Sequence, residues 1–146
     1  MILGGSFVSK FQIDDDNTYI LPENVANGSG RFNVLRGGWN IGGEVAYKIN
    51  DPSYTNGYIY KPGSAVLLTA TYSKPGFGFN FGIKRIDNMS YRSDRNAVLN
   101  SLIINYLPAM TKTHTYILAS FYPYATQPNG EFGIQAETFY HIKEGK

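Results

Sequence analysis

The stretch FGFNFGIKRID, residues 77–87, sets Phe77, Phe79, Phe81 and Ile83 in alternation with Gly78, Asn80, Gly82 and Lys84. Successive residues of a strand point to opposite faces, so the spacing predicts a ribbon with one aromatic side and one small or polar side. Two kinds of protein use such a ribbon. A water-soluble sheet turns the aromatic side inward, and a membrane barrel turns it outward.

Composition narrows the choice. The 146 residues make one domain, 1–146, long enough for a sizeable core. A formal charge of +2, with no cluster of Lys and Arg interleaved with aromatics, argues against nucleic acid as a partner. Charged residues are only 16% while aromatics reach 15%, a β-rich profile suited to an interface. Without cysteine there is no disulfide frame and no thiolate metal site. No run of about 20 apolar residues would cross a membrane as a helix. The opening MILGGSFVSKFQ lacks the basic start and continuous apolar stretch of a signal peptide, which fits a cytosolic chain, a mature chain or a piece of a longer one.

Working outward from residues 77–87, the same alternation predicts eight strands, at 5–13, 31–36, 39–49, 65–73, 77–86, 97–107, 114–123 and 132–142. Most are close to the 9–11 residues that a tilted strand needs to cross a bilayer. The links between them alternate: long over 14–30, the pair Gly37-Gly38, long over 50–64, a short KPG, long over 87–96, a short PAMTKT, then a medium YATQPNGE. Long loops at one end and tight turns at the other are the pattern of an up-and-down outer-membrane barrel. The expected architecture is therefore an all-β antiparallel meander forming part or all of a transmembrane barrel.

Two hairpins test the facing. Gly37-Gly38 suits a two-residue turn needing positive φ at both positions, which opposes Arg36 to Trp39, Val34 to Ile41 and Phe32 to Gly43, with Arg31 opposite Glu44 on the other face. If KPG leaves Tyr72 opposite Phe77, then Ala70 meets Phe79, Leu68 meets Phe81 and Val66 meets Ile83, and Leu67 is the apolar exception on the polar side. The last strand places Phe132, Ile134, Ala136, Tyr140 and Ile142 against Gly133, Gln135, Glu137 and His141, with Thr138 and Phe139 breaking the alternation. The candidate lumen-facing residues are Arg31, Glu44, Lys48, Asn80, Lys84, Gln135 and Glu137. The candidate lipid-facing or interfacial residues are Trp39, Ile41, Tyr72, Phe77, Phe79, Phe81, Ile83, Phe132 and Ile134. Trp39, Tyr47, Tyr72, Tyr122, Tyr124 and Tyr140, near strand ends, resemble the amphipathic girdles of a membrane interface. Residues 94–107 read either as a strand, on the Ile-Ile-Asn-Tyr propensity, or as a helix capped by Ser93 or Asp94 and closed before Pro108.

Several phrases also carry a resemblance: NGYIYKPG, DNMSYRSDRNA, INYLPA and above all HTYILASFYPYATQPNGE. They resemble a family of Bacteroidota outer-membrane β-barrel proteins of unknown function, over most of the chain. The resemblance implies an outer-membrane location, a barrel architecture and a parent several times longer with its own signal peptide, of which this chain would be an internal fragment. It implies no activity and no set of functional residues. A fragment of this kind is expected to associate edge to edge rather than to close alone.

Little in the sequence points to chemistry. DDDN, residues 14–17, clusters oxygen ligands but lacks the glycine and distal glutamate of a calcium loop, and reads as a solvated acidic turn. His114 and His141 stand apart from any nucleophile or ligand partner. Asp94 between Arg92 and Arg95 reads as a salt-bridged turn, and the Asn-Gly pairs at 27, 56 and 129 as turns. The expectation is a protein without enzymatic activity or cofactor, in the outer membrane, with the lipid bilayer as its partner, a structural, pore or transport-associated role, and a possible further protein or glycan partner. The alternative is a soluble β-barrel or sandwich binding a small ligand or glycan through the tyrosines of residues 54–60.

Overall fold

The structure, a computed structural model, describes residues 1–15, 18–99, 101–105, 107–108 and 126–142. Among these, six strands form one antiparallel sheet in chain order: β1 (Ile2–Phe11), β2 (Asn24–Arg36), β3 (Trp39–Lys48), β4 (Gly63–Lys74), β5 (Phe77–Asp87) and β6 (Gly130–Tyr140). A single 3-10 turn, Tyr54–Asn56, interrupts the β3–β4 link. The sheet is an open meander, with β1 and β6 at its edges.

The Gly37-Gly38 hairpin has the register its sequence predicts, with Arg36 opposite Trp39 and Arg31 opposite Glu44. Both glycines have positive φ, 58° and 83°. The next hairpin is shifted by two residues from the expectation. Lys74 opposes Phe77 and Tyr72 opposes Phe79, because Pro75-Gly76 alone makes the turn, with Gly76 at φ 79°. Proline followed by a positive-φ glycine is the pairing a type II turn requires. An even shift leaves every side chain on its expected face, whereas an odd one would have inverted the sheet.

Three further expectations are corrected. β2 begins at Asn24 rather than at 31, so Asn27-Gly28 is mid-strand and not a turn. Gly28 stands between Phe7 on β1 and Tyr47 on β3, where a small residue leaves space for both rings and pairing on two sides overrides weak β-propensity. Residues 97–99 and 101–105 form turns and irregular chain, neither strand nor helix, with one isolated bridge between Arg92 and Ile103. Leu99 and Leu102 have φ of 56° and 55°, a left-handed backbone that no strand sustains. β6 pairs with β5 along its length, so the expected eighth strand takes the sheet position that the sixth would have held. The expected seventh, 114–123, lies outside the described residues.

The links separate by length. Residues 37–38 and 75–76 turn at one end of the sheet, while 12–23, 49–62 and 88–129 all leave from the other. The core sits at that second end: Leu21, Val25, Ile86, Met89 and Tyr91 are buried, together with polar Lys10, Lys48, Asp51, Asn56, Lys84, Asn88, Ser90 and Arg95. Gly63 marks how closely the links approach the sheet, since a Cβ there would lie 2.2 Å from the Asn88 carbonyl oxygen.

Candidate functional site

Strand alternation and register divide the predicted residues cleanly. Arg31, Glu44, Lys48, Asn80, Lys84, Gln135 and Glu137 share one face, hereafter the polar face. Trp39, Ile41, Tyr72, Phe77, Phe79, Phe81, Ile83, Phe132 and Ile134 share the other, the aromatic face. Tyr122, Tyr124 and His114 lie outside the described residues.

The aromatic face is bare. Phe7 is 73% exposed, Phe132 67% and Val45 53%, and these residues stand on three different strands. At the short-turn end its rings touch one another, with Trp39 and Tyr72 centroids 4.8 Å apart and Tyr72 and Phe77 at 6.2 Å.

The polar face is covered at its long-link end. Described residues of the first part of the β5–β6 link, among them Met89, Ser90, Tyr91, Asn105, Leu107 and Pro108, lie over it. The Tyr91 hydroxyl donates to the Val25 carbonyl at 2.9 Å and lies 3.3 Å from that of Val8, so a link residue reads the backbones of β1 and β2. Burial pushes the Tyr91 phenol up from its ordinary value, and the charge of Asp51 adds to the effect. Asn56 and Asn88 extend the attachment: Asn56 donates to the Asp51 carbonyl at 3.0 Å and to Asn88 Oδ1 at 2.9 Å.

Each odd-numbered strand contributes one buried lysine beneath these links. Lys10 on β1 meets Asp51 of the β3–β4 link at 2.8 Å, with its ammonium 5.4 Å from the Tyr91 ring centroid. Lys48 on β3 donates to the Ser90 carbonyl at 2.7 Å. Lys84 on β5 meets Glu131 at 2.5 Å and also donates to the Pro108 carbonyl at 3.1 Å and Thr126 Oγ1 at 3.0 Å. Buried ammonium groups persist only when paired or hydrogen-bonded in this way. Lys48 and Lys84 were legible as polar-face residues, but their partners were not. Asp51, Ser90 and Tyr91 sit in links with no periodicity, and the only available signal was a lysine on the polar stripe toward the same end of each odd strand.

The expected salt-bridged turn at Asp94 is absent among the described residues. Arg92 donates to the carbonyls of Ser101 and Leu99, and Arg95 to that of Pro22, while Asp94 accepts from Gln12 Nε2 at 3.1 Å. These groups fasten link to link and strand to link. Arg95 Nε and Nη1 are buried without a partner among the described residues. Of the acidic run, Asp14 accepts the Leu21 amide at 2.9 Å, closing its own link, and Asp16 and Asn17 fall outside the described residues. The tyrosines of residues 54–60 are partly committed to structure: Tyr58 stacks on Tyr19 at 4.5 Å, and Tyr60 donates to the Ile20 carbonyl. No group of metal-ligating side chains occurs among the described residues.

Between the polar face and its cover lies a cavity of about 440 Å³. Its floor takes two successive same-face residues from each of five strands: Ser6 and Val8, Asn27 and Ser29, Glu44 and Ala46, Ala65 and Leu67, Lys84 and Ile86. Met89, Asn105, Leu107 and Pro108 line it from the link. Leu67, the apolar exception on the polar stripe, is part of this floor.

The molecule is thus an all-β, antiparallel open sheet with a covered polar face and an uncovered aromatic one. It belongs to a family of unknown function, DUF6029, whose model matches residues 1–146. No curated protein and no solved structure matches the chain.

Proposed function

We propose that this chain is a segment of an outer-membrane β-barrel of Bacteroidota, with its aromatic face toward lipid and its polar face toward the lumen, serving a structural, pore or transport-associated role rather than catalysis. The observation that carries the reading is the inverted amphipathicity of the sheet. The links and the buried charges gather on the polar face, and the aromatic face is left bare, whereas a soluble sheet covers its apolar side. The height of the bare band fits. Trp39 to Tyr47 spans eight residue steps on β3. At ~3.4 Å per step and ~40° tilt this rises roughly 21 Å, against ~25 Å for the apolar belt of an outer-membrane barrel. Charged residues bound the band, with Arg36 and Lys74 toward the short turns and Arg85 and Asp87 toward the long links.

In hydrocarbon the N–H and C=O groups along β1 and β6 that have no strand partner among the described residues would each cost several kcal/mol, so the reading requires those edges to be closed by further strands. With six strands in a meander, β1 and β6 run in opposite directions, and any added strand can continue the antiparallel order. The proposal also rests on the resemblance of HTYILASFYPYATQPNGE and its neighbouring phrases to outer-membrane barrels. The test is to fractionate cells of the source organism and run the detergent-extracted protein with and without boiling. Recovery in the membrane fraction with a heat-shifted band is expected, and recovery in the soluble fraction with no shifted band would overturn the assignment.

A further inference from the structure

We propose that the cavity between the polar face and the β5–β6 link binds a small amphipathic ammonium compound, with Glu44 as its counter-ion. The cavity, about 440 Å³, falls within the ~300–1,000 Å³ of ligand clefts. Its walls are mainly apolar or small, with Val8, Ala46, Ala65, Leu67, Ile86 and Met89 offering a surface for an apolar body. Charge selects the head group.

Two ionised side chains line the space, Glu44 and Lys84, and they differ in how they are answered. Lys84 is paired with Glu131 at 2.5 Å and hydrogen-bonded to Pro108 and Thr126. Glu44 is half-buried and has no ion-pair or hydrogen-bond partner among the described residues. The register sets Arg31 directly opposite it, yet no pair forms. Arg31 turns instead toward β1, where its Nη1 donates to Ser6 Oγ at 3.2 Å and its stem lies over Gly4. A Cβ at residue 4 would stand 2.7 Å from Arg31 Nε, so the glycine is what makes room for the arginine to turn away. The cavity therefore presents one unanswered negative charge against an apolar wall. A carboxylate in such surroundings favours a cation that brings its own apolar surface.

The inference concerns the polar face and holds whether or not the sheet lies in a membrane, so its failure and that of the membrane assignment are separable. The test uses the full chain purified in detergent and follows its unfolding midpoint against hexylammonium, with hexanol as the neutral match in length. Binding to the folded state raises the midpoint in a saturable manner. Hexylammonium is expected to do so and hexanol to do so much less. Glu44→Gln, which keeps the shape, is expected to weaken hexylammonium by about tenfold or more and to bring the two ligands together, and Glu44→Asp to retain part of the difference. Ala65→Phe, which fills the floor, is expected to abolish both responses. Far-UV circular dichroism establishes that each variant keeps its sheet. Equal responses to the two ligands, an unchanged response in Glu44→Gln, or the absence of any saturable shift would each overturn the proposal.

Discussion

At the short-turn end of the polar face, Leu35, Asn40, Thr71 and Ser73 are exposed; at the long-link end of the same face, Lys10, Val25, Lys48 and Ile86 are buried. Both sets belong to the same sheet face and the same alternation, and β2 and β3 contribute to each. The strand pattern decides which face a side chain takes, and the length of the adjoining links decides whether anything covers it. Gly37-Gly38 and Pro75-Gly76 reverse the chain in two residues and have nothing to spare, whereas Met89, Tyr91, Asn105, Leu107 and Pro108 of the β5–β6 link reach back across the sheet. Most of the stabilising detail is therefore expected at one end, and substitutions can set the two halves against each other.

The largest effect is expected from Lys84, whose side chain is 2% exposed and pairs with Glu131 at 9%. Lys84→Met leaves a buried carboxylate without its cation and should cost about 3–5 kcal/mol, while adding Glu131→Gln should recover much of the loss. Urea unfolding of the two variants measures both numbers. Lys74→Met, on an exposed residue at the short-turn end, should change stability by less than about 0.5 kcal/mol. Equal losses at the two ends would break the comparison.

The two faces sharpen it. Phe79→Arg and Phe81→Arg should each cost about 2–4 kcal/mol in lipid if the aromatic face lies near the bilayer midplane, and Asn80→Arg between them should be nearly neutral. Refolding into vesicles reads the contrast, and an Asn80→Arg loss as large as its neighbours' would reverse the facing.

At the cover itself, Tyr91→Phe removes the hydroxyl that joins the link to the Val25 carbonyl and should cost about 1–2 kcal/mol. The same phenol makes stability depend on pH. It holds its proton more tightly in the fold than in the unfolded chain, so its contribution is complete below pH 10 and is lost as pH rises past 10 and through the raised folded value. Wild type should lose stability between pH 9 and 11 more steeply than Tyr91→Phe, and parallel curves would show that the phenol titrates alike in both states.

The smallest effect is expected at Lys61, paired with Asp87 at 2.6 Å but 51% exposed. Lys61→Ala should cost below about 1 kcal/mol and nothing measurable at high salt. A larger loss would show that the rim of the long-link end is drier than its exposure indicates.

How far the sequence carries follows the same division. The Gly37-Gly38 turn let the whole β2–β3 register be read, since two positive-φ positions leave one way to pair the flanking residues. The β4–β5 register slips by two because pairing Tyr72 with Phe77 leaves Ser73 and Lys74 in the connection, whereas both pair in the sheet, and the faces survive because the slip is even. What covers the polar face was not legible. Asp51, Asn56, Asn88, Ser90 and Arg95 are buried, yet they are polar residues in aperiodic segments, and hydrophobic spacing carries no information about them. The apolar run at 97–105 misled for the converse reason, having strand-like composition while Leu99 and Leu102 hold left-handed backbone. In the floor, the faces of Glu44 and Leu67 were readable, but not that a cavity would form above them.

The triple contact at Lys84 also bears on how the chain tolerates added length. Its ammonium holds the Pro108 carbonyl and Thr126 Oγ1, and Thr126 donates to that same carbonyl at 3.0 Å. Pro108 and Thr126, the described residues on either side of 109–125, are therefore fastened side by side. Closing a flexible loop costs only about 0.6 kcal/mol more for each doubling of its length. An epitope or a small folded module grafted between these two residues is thus expected to leave the contacts at Lys84, and the sheet beneath them, in place.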